Sequence, residues 1–552
     1  MVNPSGRFIF CGLMKYLSFR VNLDRSILMK RIAVNTMVVV SGLLPLAAYS
    51  SDKPFHVMES SVAEIHEAMQ AGNLTCHGLV KQYLDRIQDY DKQGPALNAM
   101  LYINPDALAQ ADAMDLEFKR SGKMKPLHCI PTVLKDNYNT ADMPTTGGSA
   151  SLAGARPAED AFVVSKLKNN GALILGKTNL QEFALGGVTV SSLGGQTKNP
   201  YDLKLTPGGS SGGTAAALAA NFATIGTGSD TANSLRSPAS NNSLVAIRPT
   251  LGLVSRSGIV PVSFTQDEAG PIARSVGDAA RMLDAMAGYD RADPVTAFGV
   301  GHIPKTYTDS LKKEGVKGVR IGVMQTLFGI GPDHQEVNRV MANAIDILKK
   351  NGAIIVPILT PEMDTDKLNA SLDVQKYEYK SNINAYLKKG GKNYLAHSLD
   401  EIIASGKTHQ SLSKFLLSAQ GLEDGLNEPD YKERLLKIDA LKMSLANLMA
   451  ENRLDSVIYP HQKRLPVPIG EYDQKERNGI LASLTGFPAV VVPAGFSSPT
   501  EDAPRGVPVG MEFLGQPWSE PQLIQYAYGF EQASLARRAP ASTSTARSAR
   551  VD

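Results

Sequence analysis

Short apolar runs rich in β-branched residues alternate with amphipathic helical stretches along most of this 552-residue chain. Runs at 131–134, 172–175, 319–323 and 353–356 are predicted strands, and a helical pattern at 335–350 separates the last two. Such alternation is typical of βαβ units, which build a sheet with helices on both faces. The length would allow several domains, but no repeat and no clean linker divides the sequence. We therefore predict a single large α/β domain whose central mixed, twisted sheet is covered by helices on both faces.

Serines in glycine-rich surroundings are the first candidate functional residues. Ser210 and Ser211 occupy the segment Pro-Gly-Gly-Ser-Ser-Gly-Gly at 207–213, directly before a predicted helix. Ser234 lies in a second segment of small residues, 228–236. Serine is a poor nucleophile unless a positioned base removes its proton. These loops therefore suit serine catalysis only if a base lies nearby.

Lys135 is the candidate base. It follows the apolar run 130–134, and burial there would lower its pKa toward neutrality. A neutral Lys135 can take a proton from Ser210, which can take the proton of Ser234, while backbone N–H groups before Ser234 converge on an oxyanion. Considered alone, such a lysine more often forms a structural ion pair, for example with Asp136. Each serine, considered alone, more often has a structural role in a loop. Their joint occurrence favours a serine hydrolase.

Two motif matches point to other functions and are set aside on physical grounds. Residues 171–178 fit the phosphate-loop pattern, but the intervening Ala-Leu-Ile-Leu favours a buried strand over a loop. The nucleophile-elbow pattern G-x-S-x-G fits around both Ser210 and Ser211. That pattern needs a downstream histidine in a glycine-rich or strand-end context. None of the available histidines has one: His302, His334, His397, His409 and His461.

The same segments resemble the amidase signature family of serine hydrolases. The resemblance covers roughly residues 60–535, and it implies a Ser–cis-Ser–Lys triad. By position, Lys135 resembles the base, Ser210 the cis-peptide serine that relays the proton, and Ser234 the acyl-forming nucleophile. The stretches that carry the resemblance are 127–137, 176–183, 195–201, 206–213, 252–258, 270–274, 485–495 and 508–510.

The resemblance also implies roles for the residues around the nucleophile. The oxyanion hole is expected to consist of backbone N–H groups of Thr231, Ala232, Asn233 and Ser234. Ser211, Asp230 and Arg236 are expected to support this loop without reacting.

Two departures from the family pattern affect the expected site. Ala232 and Asn233 stand where the family usually has Gly-Gly, so their side chains are expected to narrow the loop or to place the Asn233 amide in the pocket. Cys129 replaces the glycine of a His-Gly-Ile-Pro run.

The cysteines bear on the compartment in which the protein works. Beyond the N-terminal 50 residues the chain has two cysteines, Cys76 and Cys129, and the residues alone allow either one disulfide or two free thiols. Since Cys129 occupies a glycine position of the family beside the lysine run, we expect it to be structural and bonded to Cys76. No cysteine–histidine spacing is typical of a metal site.

The N-terminus has the pattern of a secretory signal. A charged start at 29–31 precedes an apolar stretch at 32–48 and small residues at 48–50. We predict a signal peptide at 29–50 behind an over-long start at 1–28, an amidase domain at 51–536 and a disordered tail at 537–552. An uncleaved anchor is the alternative. The predicted location is periplasmic or secreted.

We therefore expect an exported amidase that hydrolyses a carboxylic amide C–N bond through a serine acyl-enzyme. No metal or organic cofactor is expected, and the partner is a small-molecule amide. The mixed net charge of +3 argues against nucleic-acid or anionic-membrane partners. The sequence leaves monomer and homodimer open.

Two other functions fit the same triad or the same fold. One is a glutamine-dependent amidotransferase of the A type, although the region after Asp290 lacks the glutamine-binding and tRNA-complex features expected of it. The other is a non-catalytic binding protein in which the altered loop forms no oxyanion hole. Aliphatic, aryl and peptide C-terminal amides all remain possible substrates, with esters and carbamates as side substrates. The pocket residues are expected within 290–480.

Overall fold

The computed structural model describes residues 55–544. The predicted extension at 1–28 and signal peptide at 29–50 lie outside these residues, as does the end of the predicted tail, 545–552. Within 55–544, no helix has the length and apolar character needed to cross a bilayer.

An eleven-stranded mixed sheet forms the centre of the fold. Its strands are β1 (Met100–Ile103), β2 (Ile130–Lys135), β3 (Ala172–Thr178), β6 (Ile225–Asp230), β7 (Val245–Arg248), β8 (Glu268–Ala273), β9 (Arg320–Met324), β10 (Ile354–Ile358), β11 (Ser456–Pro460), β12 (Ala489–Phe496) and β13 (Pro508–Leu514). A separate two-stranded ribbon pairs β4 (Val190–Ser191) with β5 (Gly195–Gln196). The order in the large sheet is β1-β3-β2-β6-β8-β7-β12-β13-β11-β9-β10.

Parallel pairing brings together the strands that matter for the site. β2 pairs in parallel with β3 on one side and with β6 on the other, and β6 then pairs antiparallel with β8. Every residue of β2 and β3 is buried, as expected for parallel strands covered on both faces. The segment that matched the phosphate-loop pattern is therefore the buried strand β3, as predicted. Its Lys177 pairs with Asp136, Nζ to Oδ1 3.0 Å.

Helices flank the sheet, which confirms the predicted α/β class. Thr75 caps the second helix through its side chain, as its position before an apolar-periodic run predicts. The helices are α1 (Val62–Gln70), α2 (Cys76–Tyr90), α3 (Ala107–Ser121), α4 (Phe162–Asn169), α5 (Gly212–Ala219), α6 (Arg236–Asn241), α7 (Val276–Met286), α8 (Gln335–Lys350), α9 (Thr365–Leu372), α10 (Gln375–Gly390), α11 (Leu399–Ala404), α12 (Ser413–Gln420), α13 (Pro429–Glu451), α14 (Ile480–Thr485) and α15 (Glu520–Ser534).

The C-terminal segment differs from the prediction of disorder from residue 537 onward. Arg537 forms an ion pair with Glu59, Nε to Oε2 2.7 Å. Arg86 donates from Nη2 to the carbonyl of Thr543 at 2.9 Å, and Thr543 is buried. The low apolar content of the tail indicated disorder, but residues 537–544 are tied to the domain by the guanidinium of Arg537 and by that of Arg86 in α2.

A disulfide joins α2 to the strand that carries Lys135. Cys76 is the first residue of α2, and Cys129 directly precedes β2; their Cα atoms are 5.8 Å apart. Both residues are fully buried. The bond therefore ties the N-terminal helices to the centre of the sheet.

We expect this disulfide to be present in the non-reduced protein and to stabilise it. The cysteines are 53 residues apart in sequence, and closing a loop of this length restricts the unfolded chain, which corresponds to about 2–4 kcal/mol. The double variant Cys76→Ala/Cys129→Ala should lose that much free energy of unfolding in denaturant titrations. Non-reducing peptide mapping checks the bond directly, and two titratable thiols at these positions would contradict the prediction.

Candidate active site

Lys135 and its hydrogen-bond partners lie at the carboxyl ends of two adjacent parallel strands. Lys135 ends β2, and Ser229 is the second-last residue of β6. The Lys135 Nζ lies 2.7 Å from Ser210 Oγ and 2.8 Å from Ser229 Oγ. Asn137 donates from Nδ2 to the same Ser229 hydroxyl at 2.9 Å. All four side chains are buried, so the lysine amine is enclosed by hydroxyl groups and shielded from water.

The electrostatics of this position suit a general base. Burial lowers the pKa of Lys135 to about 7, because desolvation disfavours the ammonium. The carboxylates of Asp230 and Asp267 act in the opposite direction. At neutral pH a large fraction of Lys135 is therefore uncharged and able to accept a proton from Ser210.

Ser210 lies in the glycine-rich loop that leads into α5. The peptide bond between Gly209 and Ser210 is cis. The Ser210 carbonyl accepts a hydrogen bond from the Gln181 N–H at 3.0 Å. A Cβ atom at Gly213 would lie 2.1 Å from the Asn179 carbonyl oxygen, so only glycine permits this approach.

The nucleophile-elbow alternative finds no support in this geometry. Ser210 Oγ contacts Lys135, and Ser211 Oγ donates to the Ser229 carbonyl at 3.3 Å. Within residues 55–544, no histidine hydrogen-bonds either serine. The buried His461 instead contacts Glu512, Nδ1 to Oε2 2.6 Å.

Ser234 lies in the turn between β6 and α6, next to the glycine-rich loop. Its carbonyl accepts from the Ser211 N–H at 3.2 Å, which ties the two serine loops together. The residue is 6% exposed. In the described part of the chain, its hydroxyl makes no hydrogen bond to protein, including none to Ser210. Catalytic hydrogen bonds are often long without substrate and shorten when substrate binds.

In the segment 231–234, the backbone carbonyls accept hydrogen bonds from protein, whereas the backbone N–H groups donate none to described protein groups. The carbonyl of Thr231 accepts from Gln266 Nε2 at 3.2 Å, and that of Ala232 from Arg236 Nη2 and Ser483 Oγ, both at 3.0 Å. The carbonyls of the next two residues accept backbone N–H groups. Within residues 55–544, no protein acceptor takes any of the four N–H groups of this segment. The loop therefore presents unpaired donors, which is what an oxyanion hole requires.

The two unusual side chains of this loop are held by the surrounding protein. Asn233 Oδ1 accepts from the Gly479 N–H at 3.0 Å, so this oxygen is engaged with the loop before α14. Ala232 packs at the edge of an apolar cluster. Thr231 donates from Oγ1 to Asp267 Oδ1 at 2.6 Å.

A buried charge network lies beneath the loop. Arg236 donates from Nε to Asp230 Oδ2 at 2.9 Å and from Nη1 to Glu512 Oε1 at 2.5 Å. Arg248 also contacts Asp230, Nη1 to Oδ1 3.2 Å. Burial raises the pKa of Asp230, but the guanidinium groups of Arg236 and Arg248 outweigh it and hold the pKa well below its ordinary value. The loop therefore rests on paired, permanently charged groups, the supporting position expected for Asp230 and Arg236.

Ser229, Asn137 and Asp267 belong to the site but were not predicted from sequence. The signal for Ser229 was present, because the carboxyl ends of parallel strands meet at one edge of a sheet and Ser229 directly precedes Asp230. The register Val133 to Gly226 places Lys135 beside it. The signal for Asp267 was absent, since it comes from a loop that pairs with Thr231 only in the folded chain.

A cavity of about 790 Å³ lies next to the site. It shares Arg256 and Phe264 in its lining with a smaller cavity that reaches Ser229 and Thr231. Its lining includes Asp293, Asn382, Tyr386, Lys389 and Tyr394, which come from the 290–480 region that was expected to supply pocket residues.

Comparison with known proteins agrees with this architecture. A sequence profile of the amidase family matches residues 78–524. A probable amidase of Arabidopsis thaliana is 36% identical over 507 residues, which covers 88% of this chain and 92% of that protein. The A-type component of the glutamyl-tRNA(Gln) amidotransferase of Caldanaerobacter subterraneus is 33% identical over 490 residues, covering 86% and 96%.

Two solved structures are also similar to this chain in fold and in sequence. Native peptide amidase from Stenotrophomonas maltophilia superposes with a TM-score of 0.80 at 37% sequence identity, covering 88% of this chain and 99% of that one. An amidase family protein from Bacillus anthracis gives a TM-score of 0.78 at 32% identity, covering 88% and 92%. The chain therefore belongs to the amidase family and is an amide-hydrolysing enzyme with the amidase-signature fold.

Proposed function

We propose that this protein is an exported amidase that cleaves a carboxylic amide through an acyl-enzyme on Ser234. One observation carries the proposal above the others. The buried amine of Lys135 contacts Ser210, and the loop that ends in Ser234 offers unpaired N–H groups beside them. A base, a relay hydroxyl and an oxyanion site are what serine catalysis needs.

In the proposed first half-reaction, Ser210 carries a proton between Lys135 and the reacting atoms. Lys135 accepts the Ser210 proton as Ser210 accepts that of Ser234. The Ser234 oxygen bonds to the amide carbon, and the N–H groups of residues 231–234 hold the oxyanion. The C–N bond then breaks, Ser210 donates its proton to the leaving amine, and the Lys135 ammonium restores the Ser210 proton.

The second half-reaction uses water as the nucleophile. Lys135, acting through Ser210, removes a proton from water as the water oxygen bonds to the acyl carbon. The C–O bond to Ser234 breaks, Ser234 regains its proton, and the carboxylic acid leaves. No step needs a metal or an organic cofactor.

Export is proposed from the signal pattern at 29–50. The pairing of Cys76 with Cys129 supports it, because disulfides persist in oxidising compartments and are rare in the cytosol. We propose a periplasmic or secreted location on these two grounds.

The substrate is proposed to be an amide that is cleaved without a partner protein. Similarity to a peptide amidase supports including peptide C-terminal amides beside aliphatic and aryl amides. The cavity of about 790 Å³ would admit a substrate of several residues. Ammonia transfer to a partner is the alternative function, because some relatives of this chain are components of amidotransferases.

A hydrolysis screen tests the proposal. The full chain, purified alone, is given aliphatic, aryl and peptide C-terminal amides, with Ser234→Ala as the blank, and ammonia release is measured. We expect release by the wild-type protein without any other protein present. Release from glutamine only, and only with a co-purifying partner, would favour the amidotransferase. No release from any class, together with no labelling of Ser234 by a fluorophosphonate, would contradict hydrolysis.

A further inference from the structure

Arg477 lies beside the loop that carries Ser210. A Cβ atom at Gly187 would lie 2.3 Å from Arg477 Nη1 and 2.8 Å from Cζ, so the guanidinium packs directly on the Gly187 backbone. A Cβ atom at Gly209 would in turn lie 2.9 Å from the Gly187 carbonyl carbon. One layer of backbone therefore separates the guanidinium from the peptide bond between Gly209 and Ser210.

The chain after Arg477 leads to the other catalytic loop. Two residues on, the Gly479 N–H donates to Asn233 Oδ1, directly before Ser234. The Arg477 side chain is thus close to the relay loop through Gly187. Its backbone is close to the nucleophile loop, because Gly479 lies two residues further along the chain.

The guanidinium has no partner in the described part of the chain. Within residues 55–544, Arg477 forms no ion pair within 4.0 Å and no side-chain hydrogen bond, whereas the buried Arg236, Arg248 and Arg256 all contact carboxylates. It is half-buried. Burial lowers the pKa of Arg477, and the carboxylates of Asp473 and Asp230 oppose this effect without forming an ion pair with it.

Two other cations near this position are already paired. Lys463 contacts Asp366 at 2.7 Å, and Arg464 contacts Glu476 at 3.2 Å and also Asp333. A half-buried cation without an ion pair is costly in a protein, so the position of Arg477 beside the relay loop favours an anionic ligand. The planar fork of arginine matches a carboxylate, with two parallel hydrogen bonds.

We propose that Arg477 binds a carboxylate of the substrate, so that the preferred substrates are amides with a carboxylate group beyond the scissile amide. The inference rests on the proposed function and narrows its substrate class. A peptide carbonyl is the neutral acceptor that could occupy the same fork, and the test separates the two.

Succinamate and succinamide provide a matched pair when initial rates are used and the succinamide value is halved for its two equivalent amides, because the remote group is a carboxylate in one and a neutral amide in the other. We expect the wild-type protein to prefer succinamate in kcat/KM, and Arg477→Gln to lower the ratio of the two values about 10- to 100-fold, since charge-assisted bidentate hydrogen bonds are lost. Arg477→Lys keeps the charge without the fork and should give an intermediate ratio. Arg120→Gln removes an exposed arginine at the end of α3 and should leave the ratio unchanged.

A ratio is insensitive to partial loss of folded protein, which affects both substrates equally. If neither compound is hydrolysed, the same ratio is taken from their inhibition constants against the best amide of the screen. An equal ratio in wild type and Arg477→Gln, or equal inhibition by both compounds, would overturn the assignment. If the wild-type protein hydrolyses no amide at all, that result would instead contradict the proposed function.

Discussion

Ser234→Ala is expected to lower kcat/KM for amide hydrolysis by at least about 10⁴-fold, the size of loss seen when a serine nucleophile is removed. In the proposed mechanism no other atom can carry the acyl group. The hydroxyl makes no hydrogen bond to described protein groups, so its removal should leave the melting temperature almost unchanged. Steady-state kinetics and thermal denaturation together check both statements.

Ser211→Ala gives the contrasting variant. Ser211 lies in the same glycine-rich surroundings and fits the elbow pattern, but its hydroxyl donates to the Ser229 carbonyl. We expect a loss of at most about tenfold, the cost of one neutral hydrogen bond. Fluorophosphonate labelling followed by peptide mapping should find the probe on Ser234. A probe on Ser211, or a comparable loss in both variants, would reverse the assignment of the nucleophile.

Lys135→Met is expected to lower kcat/KM by about 10³- to 10⁵-fold, since both the base and the relay fail without the amine. Methionine occupies a volume close to that of lysine, so the variant avoids a cavity in the core. The variant should fold, and its circular dichroism and melting curve serve as the control.

The pH profile makes this prediction specific to Lys135. Because burial lowers its pKa to about 7, the amine is protonated below that pH and cannot accept a proton. Wild-type kcat/KM should therefore fall about tenfold per pH unit below about 7 and level off above it. The residual activity of Lys135→Met should lack this limb. A limb that persists near pH 7 in the variant would assign the titration to another group.

Local patterns predicted most of the fold because they coincide with the final burial. Strands β2 and β3 are apolar along most of their length and are buried along their whole length. The helix α8 has the bounds 335–350 that its periodicity predicts. Residues 537–544, which are placed in the structure, were assigned to a disordered tail because composition does not reveal hydrogen bonds such as that from Arg86 to Thr543, which are formed with elements far away in sequence.

The candidate site likewise contains residues that the sequence predicts and residues that it does not. Lys135, Ser210 and Ser234 stand out because their neighbours are unusual for a lysine or a serine. Their supports do not stand out: Glu512 contacts Arg236 across 276 positions, and Asp267 reaches Thr231 from another strand end. Arg477 is visible only by its missing partner within residues 55–544. An unpaired charge is a property of the folded surroundings, and sequence spacing carries no signal of it.

The direction of the backbone between residues 231 and 234 has a consequence for how this enzyme can diverge. In the proposed mechanism the oxyanion is held there by N–H groups, which every residue except proline possesses, while the carbonyls are tied to fixed protein donors. That mechanism does not use the side chains of Ala232 and Asn233. Such a loop can exchange side chains over evolutionary time and alter which substrates fit, while the catalytic apparatus passes unchanged from one specificity to the next.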